Sequence, residues 1–404
     1  MSYYKKSELT NLFGVNPRTI SRWIQNSREG GLGLELVHND GRYFIAKTAR
    51  NQQIIQKLLE TRRKYLNGNI HKVIKPLPEF YNVYTEEQIH EIFTQIDTDR
   101  EIPHKYAYFD GGAESWDEYA RKMHEGEVAN TLTSTINLLD LNMSYLDSLL
   151  EEYDLVNIID VGVGNALSSK SVVNHLLEKN KLNRYVAIDI SPTMLDIAKR
   201  NIKNWFGDHV KFEGYCYDIS VEPFANIIAE PPSGAVNLIL LLGGTLSNFN
   251  TPQYALDVIR KSMQRNDLFL YSLKLDSRNT RDQFNSATQL GNILPPHREY
   301  VIDLLGINKS LYDIVLSYDE IERARVMHIK LKYALTIEMQ VMSQIWKIEL
   351  NKGDSLAVWR AKHYSHFEIE KLIYGAGFNP LHKSRTKDND FLLLISGKRP
   401  LAEV

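Results

Sequence analysis

The chain has 404 residues, a formal net charge of -2, 43% hydrophobic and 24% charged residues. That is long enough for two or three domains, with the composition of an ordinary globular protein and not of a disordered or fibrous one. A single cysteine, Cys216, excludes an internal disulfide framework and a cysteine-rich metal centre. The longest apolar run, near Leu238–Leu242, is far too short to span a membrane, and the opening Met-Ser-Tyr-Tyr-Lys-Lys leads into an amphipathic pattern and not an apolar leader, so a cytoplasmic location is expected. The near-neutral total hides an asymmetry: residues 1–77 hold 14 Lys/Arg against 5 Asp/Glu, a charge of +9 beside -11 for the remainder. A basic first part on an acidic body suggests that only this part meets a polyanion.

Lys5 to Phe13 reads as a short helix capped by Ser7 and broken by Gly14; Asn16-Pro17 then supplies an N-cap and a first-turn proline. The following helix buries Ile20, Trp23 and Ile24 and turns Arg18, Thr19 and Arg22 outward. Leu34 to Ile45 alternates around Asn39-Asp40-Gly41, the signature of a tight hairpin, and Ala49 to Leu66 is again helical. Two short helices, a hairpin and a helix over residues 1–70 resemble the winged helix-turn-helix modules of the MerR and excisionase class. The resemblance implies DNA in contact with Arg18, Thr19 and Arg22 in the major groove and Arg42 on the wing, and, by analogy, a homodimer. A small helical domain that docks on protein is the competing reading.

Residues 71–104, with prolines at 76, 78 and 103 around a charged helix from Glu86, read as a linker. The aromatic run Tyr106, Tyr108, Phe109, Trp116 and Tyr119 precedes the first long strand. Such rings either pack a helix on the sheet or form a lid over a cation, worth ~0.5–2 kcal/mol.

The chemistry lies further on. Val156-Asn-Ile-Ile-Asp160-Val-Gly162-Val-Gly164 is an apolar strand running into a glycine turn; a helix follows, and Tyr185-Val-Ala-Ile-Asp189 is a second strand closing on an acid. This is the opening βαβ unit of a doubly wound, Rossmann-like sheet with a nucleoside crevice at its strand ends. The third glycine of a dinucleotide fingerprint would fall at Leu167, so the pyrophosphate signature is incomplete. A further acidic station, Asp218-Ile219, follows a short strand, placed to bond an adenine amine and pack on its ring. Asp160 to Gly164, Asp189 and Asp218 taken together favour S-adenosyl-L-methionine over a nicotinamide or flavin nucleotide, with Asp189 on the ribose and Gly162 and Gly164 beside the methionine portion.

Ala235 to Leu242 is a fourth apolar strand entering Gly243-Gly244-Thr245-Leu-Ser-Asn248-Phe249, the loop where open α/β sheets bind ligands. Gly243 is assigned to the cofactor. Glu230-Pro-Pro-Ser233 lies before this strand, whereas the D-P-P-Y box of amino-methylating DNA enzymes must follow it. Strands are expected at Leu268 to Lys274 and, as an edge, near Phe391–Ser396, separated by a β-rich, substrate-side insertion over about 278–362, all within one domain spanning 105–404.

Asp160-Val-Gly-Val-Gly with Lys170, Val186-Ala-Ile-Asp189-Ile-Ser191 and Leu242-Gly-Gly-Thr-Leu-Ser-Asn248-Phe249 together resemble the histidine-specific Nα-methyltransferases of ergothioneine biosynthesis, a class I methyltransferase fold. The resemblance implies that Asn248 grips the substrate's amino-acid end; from the aromatic run, Tyr108 (or Tyr106) is read as the lid. Where the family places Glu and Ser against an imidazole, the best match here has Val358 and Arg360, and the family's carboxylate-binding tyrosine has only Phe284 nearby. A carboxylate bond to an imidazole is therefore not carried over. His363, Tyr364 and Glu338 are candidate bases, and Cys216 reads as a small core residue. The function expected is methyl transfer to a small amine or amino-acid-like molecule by a protein with a DNA-binding module. A regulator that senses S-adenosylmethionine without turnover, or a nucleic-acid methyltransferase, are the alternatives.

Overall fold

A computed structural model describes residues 2–13, 15, 17–67, 71–126, 130–219, 223–228, 234–249, 251–282 and 293–400. Gly14, Asn16, Glu230–Ser233 and Phe284, singled out above, lie outside the described residues.

Seven strands form the central sheet, in the spatial order Phe378–Arg385, Phe391–Lys398, Leu268–Lys274, Ala235–Leu241, Leu155–Val161, Leu182–Asp189, Phe212–Cys216. The five from 155 to 274 are parallel, and the central ones, Leu155–Val161, Ala235–Leu241 and Leu268–Lys274, are buried almost throughout, as strands covered by helices on both faces must be. The chain leaves Leu155–Val161 toward one edge, returns, and continues toward the other from Ala235–Leu241. The order reverses between these two strands, and a crevice opens at their carboxyl ends. A row of amides ties the centre of the sheet: Asn183 Nδ2 donates to Asn157 Oδ1 (2.7 Å), Asn157 Nδ2 to Asn237 Oδ1 (2.8 Å), and Asn237 Nδ2 to Asp267 Oδ2 (3.2 Å).

Two expectations about the edges are corrected. Phe391–Lys398 is an interior strand, antiparallel to both neighbours, and Phe378–Arg385 outside it is the edge. Its run of buried residues from Phe391 to Ser396 is the mark of a strand covered on both faces. Cys216 ends the opposite edge strand and is exposed, its Sγ donating to the Ile190 carbonyl at 3.3 Å.

The insertion builds two three-stranded sheets. Tyr312–Asp319, Ala324–Leu331 and Ser355–Lys362 form one; Ala334–Val341 and Gln344–Leu350 form the other, whose third strand is His71–Ile74, paired parallel to Ala334–Val341. The segment read as a linker is therefore part of this lobe. The helix Glu86–Asp99, opened by a Thr85 capping box, buries Ile89, Ile92, Phe93 and Ile96. Phe80 and Tyr84 share one apolar core with Ile337, Ile348 and Leu356. Ile102 N–H then donates to the Ala357 carbonyl at 2.8 Å.

At the amino end, helices Lys6–Phe13, Pro17–Arg28 and Ala49–Asn67 and the hairpin Leu36–Asn39/Arg42–Ile45 enclose a small core of Leu9, Val15, Ile20, Trp23, Ile45 and Ile55. Asp40 and Gly41 take φ of 48° and 74°, the pair of left-handed residues that a two-residue hairpin turn requires.

Phe80 tests the status of 71–104. It is fully buried, 5.1 Å from the Tyr84 ring. Phe80→Ala is expected to lower unfolding stability by ~3–5 kcal/mol in urea titration, as for a core phenylalanine; in a linker the change would stay within about 0.5 kcal/mol.

Candidate functional site

One cavity of about 990 Å³ collects residues from the carboxyl ends of the central strands, the 104–131 segment and the inner face of the 312–362 sheet. Gly162 and Gly164 border it with φ of 67° and 55°, a conformation other residues resist. A Cβ at Gly164 would stand 2.8 Å from Trp116, and one at Gly162 3.1 Å from Thr245. The turn is thus wedged between an aromatic ring and the loop after Ala235–Leu241. Asp189 closes its strand on the cavity; Oδ2 accepts from Gly164 N–H (3.2 Å) and Oδ1 from Ser191 N–H (3.1 Å). Burial pushes its carboxyl up to about 6 in spite of these donors.

Asp160 does not border the cavity. It lies beneath the turn, where Tyr185 Oη donates to its Oδ2 at 2.5 Å and Ser169 also bonds it; burial raises this carboxyl to about 6 too. Asp160 supports the turn from behind. Asp218 and Ile219 do line the cavity, and Lys105 Nζ bridges Asp218 (3.2 Å) and Glu91 (2.9 Å).

The aromatic run divides. Tyr108, Trp116 and Tyr119 face the cavity, whereas Tyr106 and Phe109 are core, Tyr106 Oη donating to Glu91 at 2.7 Å. Tyr108 stacks on His297 at 5.6 Å and meets the edge of Trp116 at 6.1 Å.

Gly243, with φ of 80°, and Asn248 both line the cavity. Gly243 N–H donates to Ser272 Oγ at 2.9 Å. Asn248 ends a short 3-10 turn, and among the described residues its side-chain amide makes no hydrogen bond.

The sheet facing Asn248 corrects the alignment at Val358 and Arg360. Alternation along Ser355–Lys362 points Trp359 and Ala361, and His363 just beyond, into the cavity. Val358 sits at a bulge opposite Met327/His328, buried in the lobe's core, and Arg360 pairs with Glu101 at 3.6 Å. Of the three candidate bases only His363 borders the cavity. His363 is buried with both nitrogens engaged: Arg325 Nε donates to Nε2 (2.7 Å), and Nδ1 lies 3.3 Å from the Lys274 carbonyl. Burial first and then the Arg325 charge push it down to about 3, so it is a neutral acceptor. Tyr364 lies in the core beneath, and Glu338 is on the other small sheet, paired with Lys347 and Lys75.

Several lining residues escaped the sequence reading: His104, Lys105, Lys274, Arg298, Arg325, Met327 and Trp359. Only the alternation Arg325, Met327 along a strand could have hinted at them. In the amino-terminal module Arg18, Arg22 and Arg42 are exposed and Thr19 is partly buried. Arg28 lies over the Tyr43 ring at 4.5 Å, joining the second helix to the hairpin.

The profile of the histidine-specific, SAM-dependent methyltransferases matches residues 85–397. The chain belongs to this family. It is a methyltransferase whose cofactor is S-adenosylmethionine. Similar solved structures include an S-adenosylmethionine-dependent methyltransferase from Clostridium acetobutylicum (11% identity, 70% of this chain and 99% of that one, TM-score 0.40). Another is 1,6-didemethyltoxoflavin-N1-methyltransferase from Burkholderia thailandensis, with bound 1,6-didemethyltoxoflavin and S-adenosylhomocysteine (12%, 74% and 91%, 0.36). A third is magnesium protoporphyrin IX methyltransferase from Synechocystis with S-adenosylhomocysteine (11%, 72% and 95%, 0.38). No curated protein matches the chain. No helix among the described residues is long and apolar enough to cross a membrane.

The donor set suits this cofactor: Asp189 and Asp218 offer acceptors to hydroxyl and amine groups, with Ile190 and Ile219 as apolar walls. Because the Asp189 carboxyl sits near 6, above its usual 3.8, it loses charge as the pH falls through that value. Calorimetric affinity for S-adenosylhomocysteine should rise from about pH 5 to 8. Asp189→Asn should weaken binding ~10-fold or more at the upper end and flatten most of the pH dependence.

Proposed function

We propose that this methyltransferase transfers a methyl group to the nitrogen of a small amine or amino-acid-like molecule, and that residues 1–70 bind DNA. The observation that carries the first part is Asn248: it lines the cavity from the glycine loop, and its side-chain amide has no hydrogen-bond partner among the described residues. The cavity, at about 990 Å³, is at the upper end for a single small ligand, which suits a cofactor and a small acceptor side by side. The 312–362 sheet that covers it favours a small molecule over a polymer.

When bound, S-adenosylmethionine supplies a methyl group on a positively charged sulfur. The protein's part is alignment and a dry site. Asp189, Asp218, Ile219 and Gly243 would hold the cofactor; Gly162 and Gly164 shape the turn beside it, and Asp160 braces that turn. Asn248 Oδ1 accepts from the acceptor's amine and aims its lone pair. Tyr108, held by His297 and Trp116, closes the reaction from water.

No carboxylate projects into the cavity from the Trp359, Ala361, His363 face, so histidine is not the acceptor proposed. Asn248→Ala should lower kcat/KM for methyl transfer from labelled S-adenosylmethionine to small-molecule extract ~100-fold, with the affinity for S-adenosylhomocysteine unchanged. Undiminished turnover would remove Asn248 from the acceptor site.

Exposed Arg18 and Arg22 on one helix and Arg42 beside the hairpin turn support the DNA reading, with a homodimer as the form that would present two such helices. Arg18→Ala and Arg22→Ala should each weaken DNA binding in fluorescence anisotropy. A lost phosphate contact lowers the slope of log K against log salt by about 1; a lost base contact relaxes sequence preference instead.

A further inference from the structure

Lys105 reaches from one lobe of the protein to the other across the cavity. It belongs to the 3-10 turn His104–Tyr108, whose residues divide: Tyr106 and Ala107 are buried in the apolar core shared with the helix Glu86–Asp99, whereas Lys105 borders the cavity. Its Nζ stands 2.9 Å from Glu91 Oε1 and donates to Asp218 Oδ2 at 3.2 Å. Glu91 is on that helix, and Asp218 lies two residues beyond Phe212–Cys216, the edge strand of the central sheet.

The lobe end of this bridge is fixed by further bonds. Tyr106 Oη donates to Glu91 Oε2 at 2.7 Å, and Gln95 Nε2 donates to Glu91 Oε1 at 3.1 Å. The helix that carries Glu91 is itself pinned by the burial of Ile89, Ile92, Phe93 and Ile96. Glu91 is therefore an anchor, and Lys105 carries that fixed point to the sheet. The far end has less local support, because Asp218 follows the last residue of an edge strand.

Charge decides what such a bridge can do. One ammonium shared by two carboxylates leaves a net negative charge, so Asp218 is oriented without being neutralised and keeps its power to accept from an N–H group. The Lys105 and Asp218 side chains are only 29% and 24% exposed, so salt screens this pair less than one on an open surface. An acceptor held in one place before its ligand arrives loses less freedom on binding, and it discriminates more sharply between a donor and an acceptor opposite it.

We propose that Lys105, anchored on Glu91, is a positioning residue that makes the cofactor site selective for the 6-amino group of adenine by holding the Asp218 carboxylate in place. This rests on the reading of Asp218 as the adenine acceptor and deepens it: a residue of one lobe sets the cofactor preference of the other.

The full-length protein is titrated calorimetrically with S-adenosylhomocysteine and with S-inosylhomocysteine, which carries a 6-oxo group in place of the amine. The wild-type protein should prefer the adenine compound roughly 30-fold or more. Lys105→Met should cut that preference to about 3-fold by weakening the adenine compound, with the affinity for S-inosylhomocysteine held within about 3-fold, which also shows that the variant folds. Lys105→Arg, which keeps the charge, should restore most of the preference. A lysine that merely supports the fold would lower both affinities together. That result, or a preference unaltered or raised in Lys105→Met, would overturn the proposal. Asp218→Asn should also lose the preference. Loss in Asp218→Asn with none in Lys105→Met sinks the role of Lys105 alone; a wild-type protein without preference, or an Asp218→Asn variant that keeps it, sinks the adenine reading and the proposal with it.

Discussion

Asp189 joins two neighbouring strand ends: its carboxylate closes Leu182–Asp189 and accepts from Gly164, in the turn that closes Leu155–Val161. That one contact sets where the glycine backbone lies, and much of the cavity is arranged around it. Trp116 occupies the space a side chain at Gly164 would need, and Thr245 does the same at Gly162. The helix Gly111–Glu125 and the loop carrying Asn248 are therefore both indexed to the same short glycine turn. Asp160, Tyr185 and Ser169 form the buried support beneath it. Two carboxyl groups raised to about 6 on either side of the same turn reflect how little water reaches it.

The second constraint is between lobes. The strand His71–Ile74 and the helix Glu86–Asp99 belong to the core of the insertion, more than two hundred residues away in the chain. Ile102 and Ala357 then exchange backbone bonds with their opposite segments, and His104, Lys105 and Tyr108 follow directly. One wall of the cavity is consequently held at the correct distance from the sheet by an apolar core, not by the loop that carries it. The Lys105 bridge from Glu91 to Asp218 spans the two lobes where the adenine is proposed to lie.

The elements best read from sequence were those whose pattern is decided locally. The strands at 155–161, 182–189, 235–241 and 268–274 are apolar runs bounded by turns, and the Asn39-Asp40-Gly41 hairpin has residues that tolerate left-handed backbone. Phe391–Lys398 was legible as a strand but not as an interior one, because an apolar run carries no record of its neighbours. Val358 and Arg360 were placed at the substrate by matching letters. A strand reverses its faces with each residue, and the bulge at Val358 could not be seen without its partner strand.

Sequence alone determined the glycine turn and the two acids at strand ends, since they follow one another within a single local fold unit, and all of them border the cavity. Their chemistry is carried by backbone conformation and strand termini, both of which local residues dictate. Only the tertiary structure decided the opposite wall of the cavity. Arg298, Arg325, Trp359 and Lys274 come from four separate elements, and no spacing in the chain announces that they share a wall. Side chains brought together by packing between sheets leave no periodic trace, because the distance that matters is across the fold and not along the chain.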